Sequence, residues 1–257
     1  MSEEQVLTNL DEEGVLTITF NRPTRRNAFS PALFLAVGKA IADANSDPKV
    51  AVVVLTGAGN DFTSGLDLAE FGGDDKGPQP FDVMMDAICA LDKPLLAAVK
   101  GCAIGFGVTA LFHCDLVYVG ESARMKMPFS SLGLVTEAAA CYLAPLIMGH
   151  KQAAELIFTA AWFDAQKAKE YNIATDIVPD DKLLEITIAK AREIAKWPVS
   201  SLVEIKRMMK SAHNEQIQKA RTLEDQGMRK LAGGAENIEA ITAFLEKREP
   251  NFKQFRK

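Results

Sequence analysis

The sequence predicts an α/β core followed by a helical C-terminal region. Strand-like and helix-like segments alternate between residues 15 and 119, and beyond about Glu137 the pattern is almost entirely helical. Such alternation is typical of parallel strands joined by helical crossovers. A chain of 257 residues can form one large domain, or one domain with an appendage. We predict a core of residues 1–197 and a helical region of residues 198–257.

The first elements of the core follow from local patterns. Residues 15–20 alternate in polarity, as a half-buried strand does, and a turn at residues 21–23 ends them. A helix is predicted from Pro31, with Ser30 as its N-cap. Residues 50–56 form a continuous apolar run rich in valine, which predicts a strand buried on both faces.

The rest of the chain repeats this alternation and then becomes helical. The next predicted elements are a mobile polar loop, a helix, a strand, a glycine-rich turn, a short helix and a strand, over residues 72–80, 81–91, 94–100, 101–107, 108–113 and 116–119. The C-terminal helices carry two apolar stripes at helical spacing, Leu202, Ile205, Met208, Met209 and then Ile238, Ile241, Phe244, Leu245. These stripes need a partner surface, either the chain's own core or a neighbouring subunit.

Composition narrows the class of function. Lys and Arg total 29 against 34 Asp and Glu, a net charge of −5, which argues against a nucleic acid as the main partner. The four cysteines form no closely spaced pair and there are three histidines, so no metal site is expected and the cysteines are expected to be reduced core residues. No targeting segment or membrane span is recognisable. We therefore expect a soluble intracellular protein of the peroxisome, mitochondrial matrix or cytoplasm.

Known catalytic motifs are mostly missing from the sequence. It contains no GxSxG, GxxxxGK[ST] or HExxH pattern. Residues 105–110 match a loose GxGxxA dinucleotide pattern, but the following helix has room for only about two turns, and Glu121 comes 14 positions after Gly107 rather than ~20. Nicotinamide binding is therefore disfavoured.

Two glycine-containing turns are more informative. One spans residues 62–68 and the other residues 100–107, and each follows a predicted parallel strand. Ligands bind at the carboxyl ends of strands in open α/β folds, and two converging backbone N–H groups could form an oxyanion hole. The simpler interpretation, that glycine merely ends each strand, stays open from spacing alone.

Four motifs, in their order and spacing, resemble the crotonase (enoyl-CoA hydratase/isomerase) superfamily. They are NRPTRRNAF (21–29), FTSGLDL (62–68), KPLLAAVKGCAIG (93–105) and CDL (114–116). The resemblance covers roughly residues 5–195 and implies a spiral of repeated ββα units. More loosely, the C-terminal helices resemble the family's trimerisation region, which implies a homotrimer or a dimer of trimers.

The resemblance also implies where an acyl-CoA substrate would bind. The oxyanion-hole donors would be the N–H groups of Leu66 and Phe106. Residues 21–29 and 64–68 would line the coenzyme A site, with the contacts coming from Arg25, Arg26, Ser64, Gly65, Leu66, Asp67 and Leu68. Arginines suit the phosphates of coenzyme A, although a solvated surface explains the basic cluster of Arg22, Arg25 and Arg26 equally well. Asp67 is also expected to hold the turn.

The acidic residues decide which reaction the resemblance implies. Hydratases of the family use two glutamates, and at the matching positions this chain has Thr109 and Phe129, neither of which can act as a carboxylate base. Glu137 instead matches the catalytic glutamate of the peroxisomal-type Δ3,Δ2-enoyl-CoA isomerases. The alternative is an ordinary glutamate in the first turn of a helix over 137–144, with Thr136 as N-cap.

The implied activity is an isomerase of fatty acid β-oxidation that moves a double bond from C3 to C2 of enoyl-CoA. Glu137 would transfer the proton, with no metal or cofactor, since coenzyme A is part of the substrate. Two alternatives stay open. One is a non-catalytic crotonase-fold protein that binds acyl-CoA or acts as a scaffold. The other is a crotonase-type enzyme acting on a different acyl-CoA.

Overall fold

A six-stranded sheet forms the centre of the fold in the computed structural model, which describes residues 4–67 and 79–256. Across the sheet the strands are β1 (Val6–Leu10), β2 (Val15–Phe20), β3 (Val52–Gly57), β4 (Leu95–Val99), β6 (Leu116–Gly120) and β9 (Asp176–Val178). Strand β1 is antiparallel to β2, and each later pair in this sheet is parallel. The predicted α/β core is therefore confirmed.

Strand β3 shows why the valine run folds as it does. All six of its residues are buried. Val53 and Leu55 face the main hydrophobic core, whereas Val52 and Val54 pack in a second cluster with Ala191 on the opposite face. Apolar side chains on both faces are what a central parallel strand requires.

Helices cover both faces of this sheet. Helices α1 (Pro31–Ser46) and α2 (Pro80–Ala90) pack on one face, and α7 (Leu183–Ala195) packs on the other. The hydroxyl of Ser30 accepts a hydrogen bond of 3.1 Å from the Leu33 N–H, as expected for the N-cap of α1. The remaining helices are α3 (Phe106–Thr109), α4 (Ala140–Met148), α5 (His150–Thr159), α6 (Ala165–Glu170), α8 (Val199–Ser211), α9 (Asn214–Leu231) and α10 (Ala235–Leu245).

A second sheet of three short strands lies beside the end of β4. Strand β5 (Cys102–Ile104) pairs parallel with β7 (Arg124–Lys126), which pairs antiparallel with β8 (Trp162–Asp164). The interpretation of residues 101–107 as a turn alone was therefore wrong. A three-residue strand is stabilised by its pairing partner, and a local pattern cannot reveal that partner.

The C-terminal helices contact the core through polar side chains. Lys206 on α8 is buried, and its ammonium group donates to Asp115 at 2.7 Å and to the Lys93 carbonyl at 2.8 Å. On α10, the Asn237 amide donates to the Leu132 carbonyl at 2.8 Å. The apolar stripes stay largely exposed, with Met209 at 66% and Phe244 at 69%. Within the described residues, the stripes are therefore not what attaches these helices to the core.

Three further predictions differ from the structure. Helix α4 begins at Ala140, so Glu137 lies in the loop before it and Thr136 is not its N-cap. The region after Glu137 also contains strands β8 and β9. Of the four free cysteines, Cys141 is exposed rather than in the core. Most of the polar loop predicted at residues 72–80 lies outside the described residues.

Among the described residues, no helix combines the length and the apolar character needed to cross a membrane.

Candidate active site

The two glycine turns predicted from the sequence lie side by side. The segment after β3 runs along β5, because the Thr63 N–H donates to the Cys102 carbonyl at 3.0 Å and the Ile104 N–H donates to the Thr63 carbonyl at 3.1 Å. Thr63 and Ala103 form a parallel bridge at this point. Both turns therefore leave the main sheet at the same place.

Glycine is required where these turns touch. A Cβ atom on Gly65 would lie 2.7 Å from the Ile104 carbonyl oxygen, and Gly65 has a φ of +87°. A Cβ atom on Gly107 would lie 2.6 Å from Cγ2 of Thr63. Contacts this short are not found for real side chains, so the absence of side chains lets the two backbones approach. This is a stronger reason for glycine than strand termination.

Each turn presents one backbone N–H group that has no acceptor among the residues the structure describes. The Phe29 N–H donates to Gly65 and the Asp67 N–H donates to Phe29, so the intervening Leu66 N–H faces the other way. Phe106 is the first residue of α3, where an N–H has no intrahelical acceptor. Within residues 4–67 and 79–256, no protein acceptor binds either group. Both can donate to a ligand oxygen.

The ring of Phe106 anchors the second of these donors. It packs against Phe29, Phe34 and Phe81 at centroid distances of 5.2, 5.4 and 5.6 Å, in near-perpendicular arrangements that aromatic pairs favour. Phe29 also carries the hydrogen bonds that align the Gly65–Asp67 segment. One aromatic cluster therefore holds both turns.

The arginines divide into two groups. Arg22 is mostly buried and belongs to the turn, because Nη1 donates to the Ala28 carbonyl at 2.6 Å and to Asp67 at 3.1 Å. It therefore does not belong to an exposed basic cluster. Arg25 and Arg26 are exposed, and the Arg26 carbonyl accepts from the Ser64 N–H at 2.9 Å. The structure thus brings Arg25, Arg26 and Ser64 together, while Leu68 lies outside the described residues.

Glu137 lies on a tight loop directly before α4. The next two residues, Ala138 and Ala139, have φ values of +57° and +60°, which are uncommon for residues with a side chain. The ring of His113 holds this loop, because Nε2 lies 2.7 Å from the Ala138 carbonyl oxygen. A carbonyl only accepts, so Nε2 carries the hydrogen. His113 ends the 3-10 turn that continues α3, which ties the Glu137 loop to the helix that begins at Phe106.

A second carboxylate holds the same loop from the other side. Glu224 on α9 is buried and accepts three hydrogen bonds, from the Thr136 hydroxyl at 2.7 Å, the Ala139 N–H at 2.6 Å and the Cys141 N–H at 2.8 Å. Two of these donors are backbone groups at the beginning of α4, so Glu224 caps that helix from a distant part of the sequence.

The electrostatic environment of Glu137 favours its protonated form. The pKa of Glu137 is raised from 4.5 to about 8. Burial is the larger cause, and the negative charge of Glu224 is the smaller one. Burial also lowers the pKa of His113 to about 4, which keeps its ring neutral. Glu137 therefore has a proton affinity suited to taking and returning a proton near neutral pH.

The residues at the two hydratase positions are uncharged and enclosed. Thr109 is fully buried in α3, and its hydroxyl donates to the Phe106 carbonyl, at 3.4 Å. Phe129 is buried and lines a groove of about 490 Å³. This groove is mainly apolar and borders Thr136 and Glu224, the neighbours of Glu137.

Two residues around the loop were not predicted to act on it. The sequence gives His113 no distinctive pattern, and Glu224 is one of many charged residues on an amphipathic helix. Both act through contacts that are distant in sequence, and no local pattern signals them. The sequence around Glu137 predicts the first turn of a helix, so the loop itself was not predicted either.

The sequence and the fold were also compared with those of known proteins. The sequence profile of the enoyl-CoA hydratase/isomerase family matches residues 11–256. The solved structure of an enoyl-CoA hydratase/isomerase from Pseudoalteromonas atlantica T6c superimposes with a TM-score of 0.93 at 33% identity, over 97% of this chain and 100% of that one.

Relatives of known name include both isomerases and a hydratase. The 1,2-epoxyphenylacetyl-CoA isomerase of Escherichia coli K12 is 31% identical over 94% of this chain and 95% of its own. The 2,3-dehydroadipyl-CoA hydratase of the same organism is 31% identical over 94% and 96%. Enoyl-CoA delta isomerase 2 of Rattus norvegicus is 30% identical over 92% of this chain and 62% of its own.

Proposed function

The chain belongs to the enoyl-CoA hydratase/isomerase family and is a crotonase-type acyl-CoA enzyme, and from this premise we propose that it is a Δ3,Δ2-enoyl-CoA isomerase. One observation carries the proposal: Glu137, with its raised pKa, lies on a firmly held loop, while the two hydratase positions hold Thr109 and Phe129. Adding water to a double bond calls for groups that position and activate the water, whereas moving the bond needs only a proton carrier. The residues present suit the second reaction.

The proposed mechanism uses the backbone N–H groups of Leu66 and Phe106 and one carboxylate. The thioester oxygen accepts hydrogen bonds from the Leu66 and Phe106 N–H groups. Glu137 removes a proton from C2, and the C–H electron pair forms a dienolate whose negative charge rests on that oxygen. The dienolate then takes the same proton from Glu137 at C4, which leaves the double bond between C2 and C3. Removing one such oxyanion donor typically costs ~3–4 kcal/mol of barrier stabilisation.

Coenzyme A binding is assigned to the surface beside these donors. Arg25 and Arg26 are exposed next to Ser64, and their guanidinium groups suit phosphate oxygens. Gly65, Leu66 and Asp67 supply the backbone along which the thioester end would lie. A contact between Leu68 and coenzyme A remains a prediction from the sequence. In this mechanism the chain needs no metal or redox cofactor, since Glu137 alone carries the proton.

A second candidate is an isomerase acting on a ring-bearing acyl-CoA. Its support is the near full-length similarity to the 1,2-epoxyphenylacetyl-CoA isomerase. That enzyme is also an isomerase, so the lack of hydratase carboxylates fits both candidates. The non-catalytic alternative is less well supported, because a scaffold has no need of a glutamate held with a raised pKa.

The proposal is tested with purified protein and two substrates. A 3-hexenoyl-CoA substrate should be converted to 2-hexenoyl-CoA, and hydration of crotonyl-CoA should be at least ~10³-fold slower, on the scale that acid–base groups contribute. Both reactions are followed by enoyl-thioester absorbance, with product identity checked by mass spectrometry. Hydration at a rate comparable to isomerisation would contradict the proposal, and turnover of an epoxyphenylacetyl-CoA alone would favour the second candidate.

A further inference from the structure

Glu224 is a buried carboxylate that does not belong to the reacting groups. It is 6% exposed, and three donors from residues 136, 139 and 141 hold its two oxygens. These donors lie on both sides of Glu137. A carboxylate that accepts three hydrogen bonds is held in one orientation. Glu224 is therefore a fixed negative charge next to the loop that carries Glu137.

The loop needs this support because its backbone is unfavourable by itself. Ala138 and Ala139 both have positive φ values, and neither is a glycine. Such a conformation persists only where surrounding contacts determine it. His113 supplies one contact, to the Ala138 carbonyl, and Glu224 supplies another, to the Ala139 N–H. The two contacts hold successive residues directly after Glu137.

We propose that Glu224 is a positioning residue for the proton transfer, which fixes the loop carrying Glu137 and strengthens Glu137 as a base through its negative charge. The inference rests on the proposed function of Glu137. It also gives the C-terminal helical region a part in the active site, because Glu224 is on α9 while Glu137 is in the core.

The other ionisable groups around the loop do not replace Glu224 in this role. The His113 ring is neutral, with a pKa of about 4, and the Cys141 thiol is neutral, with a pKa of about 12. Arg221, one turn before Glu224 on α9, forms ion pairs with Asp86 at 2.7 Å and Asp82 at 3.5 Å.

One polar pair and one buried cation complete the surroundings. The Tyr142 hydroxyl on α4 is 2.9 Å from Nδ1 of His213, and Lys206 is paired with Asp115. Among the residues that the structure describes, the charge that acts on Glu137 is therefore that of Glu224.

The first test is Glu224→Gln, with Glu215→Gln as the matched control. Glutamine has nearly the same shape but no charge, and its amide N–H₂ group accepts no hydrogen bond, so at least one of the three donors loses its acceptor. Glu215 is an exposed glutamate on the same helix, so its replacement changes the net charge equally. We expect the high-pH plateau of kcat in E224Q to fall at least ~10-fold, because a misplaced catalytic group loses rate steeply.

KM should stay close to that of the native protein, since Glu224 is not assigned to substrate binding. The midpoint of the pH–rate profile should move from near pH 8 to a lower pH, while E215Q keeps the native profile. A merely structural cap would change stability without moving this midpoint. A folded E224Q with the native midpoint would overturn the proposal.

A measurement without substrate separates this inference from the proposed function. Infrared difference spectra are recorded for the native protein, E137Q, E224Q and the double variant. The signal to follow is that of the protonated Glu137 carboxylic acid, which E137Q lacks. The acid should titrate near pH 8 in native protein and at lower pH in E224Q. If no enoyl-CoA is isomerised but the titration responds to E224Q, the proposed function fails and the coupling stands. An unchanged titration overturns the coupling.

If E224Q does not fold, Thr136→Val provides a second test of the positioning role. It removes one of the three donors and keeps the charge of Glu224. We expect kcat to fall at least ~3-fold with KM unchanged, because the loop loses part of its support. An unchanged kcat in T136V would overturn the positioning role.

Discussion

At the residue scale, the family resemblance predicts a role for Glu137, but the sequence does not predict the surroundings of its side chain. The run from Val135 to Tyr142 reads locally as the beginning of a helix, and a first-turn glutamate there would be exposed and ionised. The structure instead begins α4 at Ala140, because Glu224 and His113 hold the preceding loop in a conformation that local propensity does not predict. Burial and a like charge then act together on the carboxyl group, and both depend on residues distant in sequence.

The raised pKa of Glu137 predicts how activity and stability depend on pH. The base works only when ionised, so kcat/KM should rise as the pH rises through about 8. Between pH 4.5 and about 8 the folded protein holds a proton that the unfolded chain releases, so the free energy of unfolding falls as the pH rises. Glu137→Gln should remove this part of the pH dependence. Thermal melting of both proteins at pH 5 and pH 9 tests this, and equal pH dependence would contradict it.

At the element scale, the local sequence pattern predicts the long strands and helices but not the short strands. The valine run of β3 and the capped helix α1 have strong local signals. Strands β5 and β7, of three residues each, form because the chain brings them together. The glycine turns are intermediate cases: the sequence indicates a possible oxyanion hole, and only the structure shows the contact between Gly65 and Ile104.

That contact predicts a difference between two glycine variants. Gly65 and Gly233 both have positive φ values, +87° and +73°, so alanine strains the backbone similarly at each. A new Cβ would lie 2.7 Å from the Ile104 carbonyl oxygen at Gly65 but has no neighbour within 4 Å at Gly233. We expect Gly65→Ala to reduce isomerase turnover ~10²-fold, on the scale of losing one oxyanion donor. Gly233→Ala should keep turnover, and equal effects would show that the close approach is unimportant.

At the scale of the whole molecule, the C-terminal helices present two different surfaces. Their polar side chains, among them Lys206, Glu224 and Asn237, contact the core, which leaves much of both apolar stripes exposed. The sequence predicts these stripes but cannot say which surface covers them. An exposed face with residues such as Met208, Met209 and Phe244 is typical of a protein–protein interface.

The exposed stripes, together with the resemblance of these helices to the trimerisation region of the family, lead us to expect a homotrimer or a dimer of trimers. Sedimentation at micromolar concentration should give at least three times the mass of one chain. Truncation after Lys196 should give aggregated or inactive protein, because it removes both the interface and Glu224. A fully active single-chain species would contradict the expected assembly.

The turnover of Glu137→Gln with a 3-enoyl-CoA tests the account most directly, because every step of the proposed reaction passes through this carboxylate. Glutamine keeps the shape of the side chain but cannot take the C2 proton. We expect turnover to fall by ~10²-fold or more, within the range that a general base contributes. Thermal melting, measured on the same samples at pH 9, should show a protein at least as stable as the native one. Near-native turnover in a folded E137Q would contradict the assignment of Glu137 as the base.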